Sequence, residues 1–381
     1  MRKLRMGMIG GGIDSFIGDV HRKAAALDGM IELVCGAFSS TAERSKKSGK
    51  GLFLPDDRCY GTFEEMILAE KKLPKDQRMD FVAIVTPNHL HFAPAKMALE
   101  NGFHVVCDKP MTLTLDEAIE LEKVVKSTGL LFALTHNYPG SPMVKQARAM
   151  VKNGDLGKIR KVQVQYLQGW LATSVEKTGQ KQAAWRVDPE KSGIGGALGD
   201  IGTHAENLVE YISGLQIEEL AADLGKFGQD RVLDDDGNIL LRMENGAKGT
   251  MSFSQIAVGE ENNLAIRVYG EKGSLEWSQE NPNQLITRWL DQPKTAYSPN
   301  GNNLYSEALT ASRIPAGHPE GYLEAFANVY KNFASHLNAK LSDEEIKTPD
   351  YPTVADGVRG MKFIYASVES DKKNSGWVKL N

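Results

Sequence analysis

The sequence lacks long apolar runs, paired cysteines and an excess of positive charge. In its 381 residues no apolar stretch approaches the about 20 residues that cross a membrane. The formal net charge is -4, which argues against nucleic acid as a partner. Cys35, Cys59 and Cys107 form neither a CxxC pair nor a disulfide framework. We therefore predict a cytoplasmic protein without a membrane or nucleic-acid partner, and the strand-like first segment predicts no leader peptide.

The first 140 residues alternate short apolar segments with amphipathic ones. Thr114 and Glu117 have the spacing of a capping box, which starts a helix. Nearly continuous apolar strands separated by helices are typical of a parallel sheet covered on both faces. The predicted strands are 4–10, 31–37, 79–87, 103–110 and 130–138, with helices near 18–28, 41–49, 63–72, 89–101 and 114–128.

The pattern changes after about residue 155, where apolar and polar residues alternate between glycine-containing turns. This alternation predicts a mostly antiparallel sheet. Residues 291–318 show no periodicity, so we expect a long surface loop there. The predicted strands are 158–170, 217–227, 238–244, 248–257, 263–278 and 283–290, with helices near 142–153, 204–213, 320–339 and 353–369.

The segment MGMIGGGIDSFIG places Gly10, Gly11 and Gly12 between a strand and a helix. A dinucleotide-binding turn needs glycine where the chain bends sharply, followed by a helix whose N-terminus faces the pyrophosphate. Ser15 takes the last small-residue position of the pattern, and Phe16 follows it. We predict an α/β protein with a Rossmann-type domain at 1–138 and an α+β domain with a large, mostly antiparallel sheet at 139–381. Gly10, Gly12, Ser15 and Phe16 are candidate cofactor contacts.

The second predicted strand ends without the acidic residue that binds the ribose of NAD. Ser39 and Ser40 stand there instead, and Arg44 follows on the next predicted helix. This composition accommodates a 2′-phosphate, but cations on a helix are also common on plain solvated faces. The sequence therefore leaves NAD and NADP both open.

Two further strands end in polar residues at the edge where open α/β sheets bind ligands. The first supplies Thr86, Pro87, Asn88 and His91 as candidate cofactor contacts. The second ends in the tripeptide Asp108-Lys109-Pro110, in which Asp108 and Lys109 are further candidate cofactor contacts. A lysine directly after a buried strand suits the ligand crevice, and the alternative is an ordinary surface lysine.

A run of glycines at 192–199 precedes Asp200 and His204, which are one helical turn apart. Histidine titrates near neutral pH, which suits a general acid or base. Three alternatives stay open: Asp200 as a helix N-cap, His204 as a core histidine, and a shared metal ion. No third metal ligand has convincing spacing, with His318 the only remote candidate, so we predict no metal.

Weaker candidates follow other predicted elements. Asn137 and Tyr138 come after the last strand of the first domain, the former towards the cofactor and the latter towards the substrate. Trp170, Trp185 and Arg186 resemble a stacking surface with a hydroxyl donor for a sugar, and each is equally compatible with ordinary packing. His318 is a further candidate for the pocket wall. The sequence has no cluster of arginines that would indicate a phosphorylated or carboxylated substrate.

Taken in order, the glycine turn, TPNHLH, DKP and GGALGDIGTH resemble the Gfo/Idh/MocA family of sugar and polyol oxidoreductases over essentially the whole chain. The resemblance implies that Lys109 touches both nicotinamide and substrate hydroxyl. It also implies that Asp200 and His204 are the family's Asp-x-x-x-His pair. Asp108 departs from the usual glutamate by one methylene.

The expected activity is NAD(P)-dependent oxidation of a cyclic polyol, sugar or glycoside. His204 would be the acid/base, Lys109 would orient the hydroxyl, and Asp200 would bind a neighbouring hydroxyl or hold Lys109. The alternatives are a glycosidase assisted by bound NAD and a non-catalytic nucleotide-binding regulator. Because helices are too few to cover the second sheet, we also predict a homodimer or homotetramer through it.

Overall fold

The computed structural model describes residues 2–13, 15–345 and 348–380. The chain divides into two compact units. The first comprises Met1–His136 and Phe326–Val358, and the second comprises Asn137–Ala325 and Arg359–Asn381. The sequence placed one boundary after residue 138, whereas the structure joins a late segment to the first unit.

The first unit is built on a five-stranded parallel sheet in the order β2-β1-β3-β4-β5. All five residues of β3 are buried, as expected for a strand covered on both faces. The predicted parallel Rossmann-type sheet is therefore confirmed. Its strands are β1 (Leu4–Gly10), β2 (Ile31–Ala37), β3 (Phe81–Val85), β4 (His104–Cys107) and β5 (Phe132–Leu134).

Helices connect these strands, and local signals start and end them. Thr114 Oγ1 accepts a hydrogen bond from Glu117 N at 3.2 Å, and Glu117 Oε2 accepts one from Thr114 N at 3.1 Å. The capping box is thus confirmed, and Gly129, with φ 63°, ends that helix. The helices are α1 (Phe16–Leu27), α2 (Ala42–Gly51), α3 (Phe63–Lys72), α4 (Phe92–Glu100) and α5 (Leu115–Thr128).

Residues 326–358 join the first unit through its core. The rings of Phe333 and Phe81 meet edge to face with centroids 5.1 Å apart. Leu134 N donates to Pro352 O at 2.8 Å beside the end of β5. Contacts between residues so distant in sequence leave no local pattern, which is why the sequence assigned this segment to the second domain.

The second unit contains a nine-stranded sheet in the order β13-β12-β11-β10-β6-β9-β8-β7-β14. Strands β6 and β9 pair in parallel, and the other described pairings are antiparallel, as predicted. The strands are β6 (Ile159–Leu167), β7 (Ile217–Gly225), β8 (Asp236–Met243), β9 (Lys248–Ser254), β10 (Asn263–Gly270), β11 (Gly273–Ser278), β12 (Leu285–Trp289), β13 (Thr295–Tyr297) and β14 (Val378–Lys379).

Helices pack against this sheet and carry part of the candidate site. α9 contacts β6 and β10, and α6 contacts β11 and β12. The helices of the second unit are α6 (Pro142–Lys152), α7 (Lys181–Arg186), α8 (Pro189–Ser192), α9 (Thr203–Ser213) and α10 (Ser306–Ala311). Two longer helices, α11 (Tyr322–Leu341) and α12 (Val354–Lys372), each have residues in both units.

Three predicted elements differ from the structure. The strand expected over 263–278 is two strands, because the chain turns at Glu271 and Lys272. The strand expected over 130–138 is confined to β5, after which a turn forms at Tyr138–Gly140. The expected loop at 291–318 contains β13 and α10, and α10 packs against α6. Both elements are too short to produce a visible period.

None of the helices in the described ranges is long and apolar enough to cross a membrane.

Gly18 in α1 is expected to tolerate no side chain. A Cβ atom there would lie 2.3 Å from Gly11 Cα, so Gly18→Ala must push the helix away from the glycine turn. We expect a loss of about 1–3 kcal/mol, seen as an earlier unfolding midpoint in urea. The matched control is Gly360→Ala in α12, where the nearest atom is 3.8 Å away. Equal stability of the two variants would contradict this packing.

Candidate functional site

The glycine turn of the first unit is rigid and tightly packed. Gly10 and Gly11 have φ of 78° and 68°, a left-handed conformation that favours glycine. A Cβ on Gly10 would lie 2.8 Å from Thr86 Cγ2, so the turn sits directly on the end of the neighbouring strand. Ser15 Oγ accepts a hydrogen bond from Gly18 N at 3.2 Å and caps α1. The turn therefore holds the N-terminus of α1 in a fixed place.

The residues around this turn fit a dinucleotide. The first N–H groups of a helix have no intrahelical partner and form an anion-binding end, which suits a pyrophosphate. Phe16, the first residue of α1, is 70% exposed, so this end is open to a ligand. At the end of β2, Ser39 is half-buried while Ser40 and Arg44 are exposed. These residues are accessible to an adenosine ribose and leave the choice of NAD or NADP open.

His91 joins the two polar strand ends. Its Nδ1 lies 2.9 Å from Pro110 O and its Nε2 lies 2.7 Å from Thr86 O. The ring is fully buried, and burial lowers its pKa. These contacts engage both ring nitrogens with the backbone, so His91 braces the turns around a cofactor. Pro87 and the buried Asn88 lie in the same turn.

Asp108 organises the turn that carries Lys109. Its Oδ1 accepts hydrogen bonds from Lys109 N and from Thr135 Oγ1, both at 2.9 Å. The carboxylate therefore fixes the backbone of the half-buried Lys109. The aspartate side chain, one methylene shorter than that of glutamate, is long enough to do this.

Sequence reasoning missed the buried histidines around this carboxylate. His21 Nε2 lies 4.0 Å from Asp108 Oδ2, and His21 Nδ1 lies 2.6 Å from the Tyr330 hydroxyl oxygen. Burial lowers the pKa of His21 to about 4, and burial with the charge of Lys109 lowers that of His136 to about 3. Neutral imidazoles thus surround Asp108. Residues so far apart along the chain carry no sequence signal for this cluster.

In the second unit, Asp200 lies within a π-helical turn, Leu198–Gly202, that leads into α9. It is therefore not the helix N-cap that sequence left open. Its Oδ2 accepts hydrogen bonds from Arg186 Nε at 3.0 Å and from Gln255 Nε2 at 2.8 Å. Single π-turns inside helices occur frequently at functional sites.

His204 lies in the first turn of α9 against two phenol rings. Its ring centroid is 5.0 Å from that of Tyr138 and 6.1 Å from that of Tyr166. The two hydroxyl oxygens are 2.6 Å apart. Burial raises the pKa of both phenols, so both stay protonated. The predicted Tyr138 is thus a buried neighbour of His204.

A chain of polar side chains continues from these phenols. Tyr166 donates to Asn262 Oδ1 at 2.8 Å, and Gln168 Nε2 donates to the same oxygen at 2.7 Å. Gln168 Oε1 accepts from Trp170 Nε1 at 3.1 Å and from Gln255 Nε2 at 3.4 Å. Gln168, Gln255 and Asn262 were missed. The first two directly follow β6 and β9, so a strand-end search would have found them had this parallel pair been predicted.

Arg186 does not stand as a separate donor beside the tryptophans. Its guanidinium lies 4.3 Å from the centroid of Trp185 and 5.9 Å from that of Trp170. Besides Asp200, it donates to Gln182 through Nη1, at 3.0 Å to the backbone oxygen and 2.7 Å to Oε1. The structure therefore brings Trp170, Trp185, Arg186 and Asp200 together.

Two predicted residues lie elsewhere in the second unit. His318 is exposed, and its Nδ1 lies 3.1 Å from Pro315 O in its own turn. Asn137 is buried in a small pocket with Ser141 and Glu320. Asn137 Nδ2, Ser141 Oγ and Glu320 Oε2 are buried polar atoms without a hydrogen-bond partner. Within residues 2–13, 15–345 and 348–380, no group of three or more His, Cys, Asp or Glu side chains forms a metal site.

Asp234 holds the start of the turn that carries Asp200. Its two carboxyl oxygens accept hydrogen bonds from Gly196 N at 2.7 Å and Leu198 N at 2.6 Å. Burial raises its pKa to about 6. A Cβ on Gly196 would lie 2.1 Å from Asp234 O, so this glycine is required by the approach of one backbone to another.

A parallel sheet with a glycine turn, combined with an acid–histidine pair on a second, antiparallel unit, defines the class of NAD-binding oxidoreductases. The model described as "Oxidoreductase family, NAD-binding Rossmann fold" matches residues 4–136. The model of the "GFO/IDH/MocA C-terminal domain" matches residues 144–276. The chain belongs to the Gfo/Idh/MocA family of oxidoreductases.

Similar proteins extend over the whole chain. The oxidoreductase YfiI of Bacillus subtilis is 36% identical over 384 residues, covering 100% of this chain and 97% of that protein. An inositol dehydrogenase homolog from Azotobacter vinelandii, solved with NADH and myo-inositol, is 35% identical with a TM-score of 0.91, covering 99% and 98% of the two chains. Levoglucosan dehydrogenase of Pseudarthrobacter phenanthrenivorans is 28% identical, over 75% of this chain and 76% of that protein.

Replacement of Asp234 by asparagine should destabilise the second unit. The amide has one acceptor oxygen where two backbone N–H groups need one each, so one buried donor loses its partner. We expect a loss of about 1–3 kcal/mol near neutral pH, measured by urea unfolding. The control, Asp223→Asn, changes an exposed carboxylate and should leave the midpoint unchanged.

The difference in stability between the native protein and Asp234→Asn should also depend on pH. Because the folded-state pKa is raised, Asp234 stabilises the fold most when protonated, below about pH 4, and this contribution is lost as pH rises through about 6. The stability of the native protein relative to Asp234→Asn should therefore fall over that interval. A difference independent of pH would contradict the raised pKa.

Proposed function

We propose that this protein oxidises a secondary hydroxyl of a neutral cyclic polyol or sugar, with NAD or NADP as cofactor. The observation that carries the proposal is the grouping of His204 and the clamped Asp200 with indole rings in the second unit. The names of similar proteins support it, since they concern inositol and levoglucosan, both cyclic and rich in hydroxyls.

The contacts of Arg186 support a neutral substrate. A phosphate or carboxylate is usually bound by an arginine that keeps its fork for the anion. Here Nε is engaged by Asp200 and Nη1 by Gln182. The flat indole rings of Trp170 and Trp185 suit the apolar C–H faces of a sugar ring, while the amides nearby suit its hydroxyls.

Three residues divide the work. Lys109 orients and polarises the reacting hydroxyl through its ammonium group, and Asp200 accepts a hydrogen bond from a hydroxyl of the substrate. As the O–H bond breaks, His204 takes the proton, and it returns the proton in the reverse direction. A bound nicotinamide would supply the hydride acceptor that oxidation of the alcohol to a ketone requires.

The test is the absorbance of reduced nicotinamide with NAD and with NADP, against a panel of inositols, aldoses and glycosides. Reduction of one cofactor by one ring would establish the proposal. Glycoside cleavage without net cofactor reduction would contradict it and favour the NAD-assisted glycosidase. Cofactor binding with no turnover on any compound would favour the regulator.

Lys109→Ala and His204→Ala should each lower kcat by about 10²–10⁴-fold, the usual contribution of a positioned proton-transfer group. NADH binding, followed by its fluorescence, should persist in both variants. Lys126→Ala, which removes an exposed lysine of α5, is the control and should behave as the native enzyme. Unchanged turnover in the first two variants would remove these residues from the mechanism.

Ser39→Asp should shift the cofactor preference towards NAD. An added carboxylate at the end of β2 binds a ribose 2′-hydroxyl and repels a 2′-phosphate. We expect the ratio of kcat/KM for NAD to that for NADP to rise by about tenfold or more, equivalent to about 1.4 kcal/mol. The matched variant Ser39→Asn adds similar volume without charge and should leave the ratio nearly unchanged. An equal change of this ratio in both Ser39 variants would indicate that the ribose does not bind at the end of β2.

A further inference from the structure

The carboxylate of Asp200 accepts hydrogen bonds from Arg186 and from Gln255, and Gln255 lies outside the motifs discussed above. Arg186 Nε and Gln255 Nε2 both donate to Oδ2, at 3.0 Å and 2.8 Å. We propose that Gln255 is a positioning residue, which sets the orientation of Asp200 and connects it to the wall beside His204. This inference rests on the proposed function for its catalytic consequence and on the contacts alone for its geometry.

The backbone of Gln255 is fixed where it leaves β9. Its N–H donates to Asp235 O and its carbonyl accepts from Leu171 N, both at 2.9 Å. The residue is only 2% exposed, so its amide has no alternative partner in bulk water. Because its backbone is fixed and its side chain is buried, Gln255 presents its amide at one place.

The orientation of the amide follows from its neighbours. Nε2 approaches two acceptors, Asp200 Oδ2 at 2.8 Å and Gln168 Oε1 at 3.4 Å. A flipped amide would place its own oxygen against the carboxylate, which repels it. Gln255 therefore donates to both, and Asp200 receives one charged and one neutral donor.

Beyond Gln168 a chain of hydrogen bonds through Asn262 reaches the rings beside His204. Asn262 Oδ1 accepts from both Gln168 Nε2 and the Tyr166 hydroxyl. Because the Tyr166 hydroxyl donates its hydrogen bond to Asn262, the Tyr138 hydroxyl donates to Tyr166. Side-chain networks whose members are all paired behave as rigid units. Movement at Gln255 therefore disturbs the wall that packs on His204.

Gln255→Leu and Gln255→Glu separate positioning from mere packing. Leucine fills similar space without a donor, so kcat/KM should fall about 10–100-fold at every pH. The carboxyl introduced by Gln255→Glu donates to Asp200 only while protonated. That variant should approach native activity in acid and lose it as pH rises, a new titration that the native enzyme lacks.

The charged groups around this position determine where the new titration falls. Asp200 and burial raise the pKa of the introduced carboxyl, and Arg186 opposes them. Behind β9, Asp235 is paired with Arg231 at 3.1 Å, which offsets its charge. The control is Gln229→Glu, which adds the same carboxyl at an exposed loop position and should retain the native pH profile.

A second readout requires no substrate. In Gln255→Glu the folded-state pKa of the carboxyl is raised, so its destabilisation is absent below about pH 4.3 and grows with pH above that value. The melting temperature of Gln255→Glu should fall relative to that of Gln255→Leu between pH 4 and 8. A difference in melting temperature that does not change with pH would overturn the proposed positioning of Asp200 by Gln255.

The two readouts separate the failure of each proposal. If the native enzyme turns over no polyol but the difference in melting temperature depends on pH, the proposed function fails. The contact between Gln255 and Asp200 is then still supported. If the native enzyme is active and both Gln255 variants keep its pH profile and kcat/KM, the positioning role is wrong. A uniform loss of activity in both variants, equal at all pH values, would also overturn positioning and leave a packing role.

Discussion

Parallel strands bring their carboxyl ends to one edge of a sheet, and both units use this constraint to place chemistry. In the first unit β1, β3 and β4 end in the glycine turn, the TPNHLH segment and the DKP turn. In the second, β6 and β9 are a parallel pair in a mostly antiparallel sheet, and Gln168 and Gln255 directly follow them. A hydrogen bond from Gln168 N to Ser254 O, at 2.8 Å, holds the ends of the two strands side by side. Antiparallel neighbours instead bring the end of one strand beside the start of the next, as Gln255 after β9 meets Asp235 before β8.

One half-buried and one buried carboxylate at these edges shape the turns that bear the candidate catalytic groups. Asp108 binds the backbone N–H of Lys109, and Asp234 binds the N–H groups at the start of the turn that contains Asp200. A buried carboxylate is stable only when its oxygens are paired, so each also enforces one backbone conformation. Charged side chains thus hold the two segments that carry the candidate site, the Lys109 turn and the turn before His204.

The sequence predicts what depends on local periodicity and on strand-end residue types. The parallel sheet, the antiparallel sheet, the capping box at Thr114 and the family follow from such signals. The pairing of β6 with β9, the joining of residues 326–358 to the first unit, and the His21–Tyr330 contact depend on residues far apart along the chain. Such contacts leave no periodic pattern of apolar residues in the sequence. Roles of individual site residues, the domain limits and the homo-oligomer stay predictions.

Arg186 shows how a contact changes the interpretation of a residue. In the sequence it is a hydroxyl donor beside two tryptophans. In the structure its charge is balanced by Asp200 and its fork is shared with Gln182. An ion pair made within the protein makes no net contribution to the attraction of an anion. Gln255 supplies a second, neutral donor to the same carboxylate. Under the proposed function, we expect such a site to discriminate substrates by the positions of their hydroxyl groups rather than by net charge.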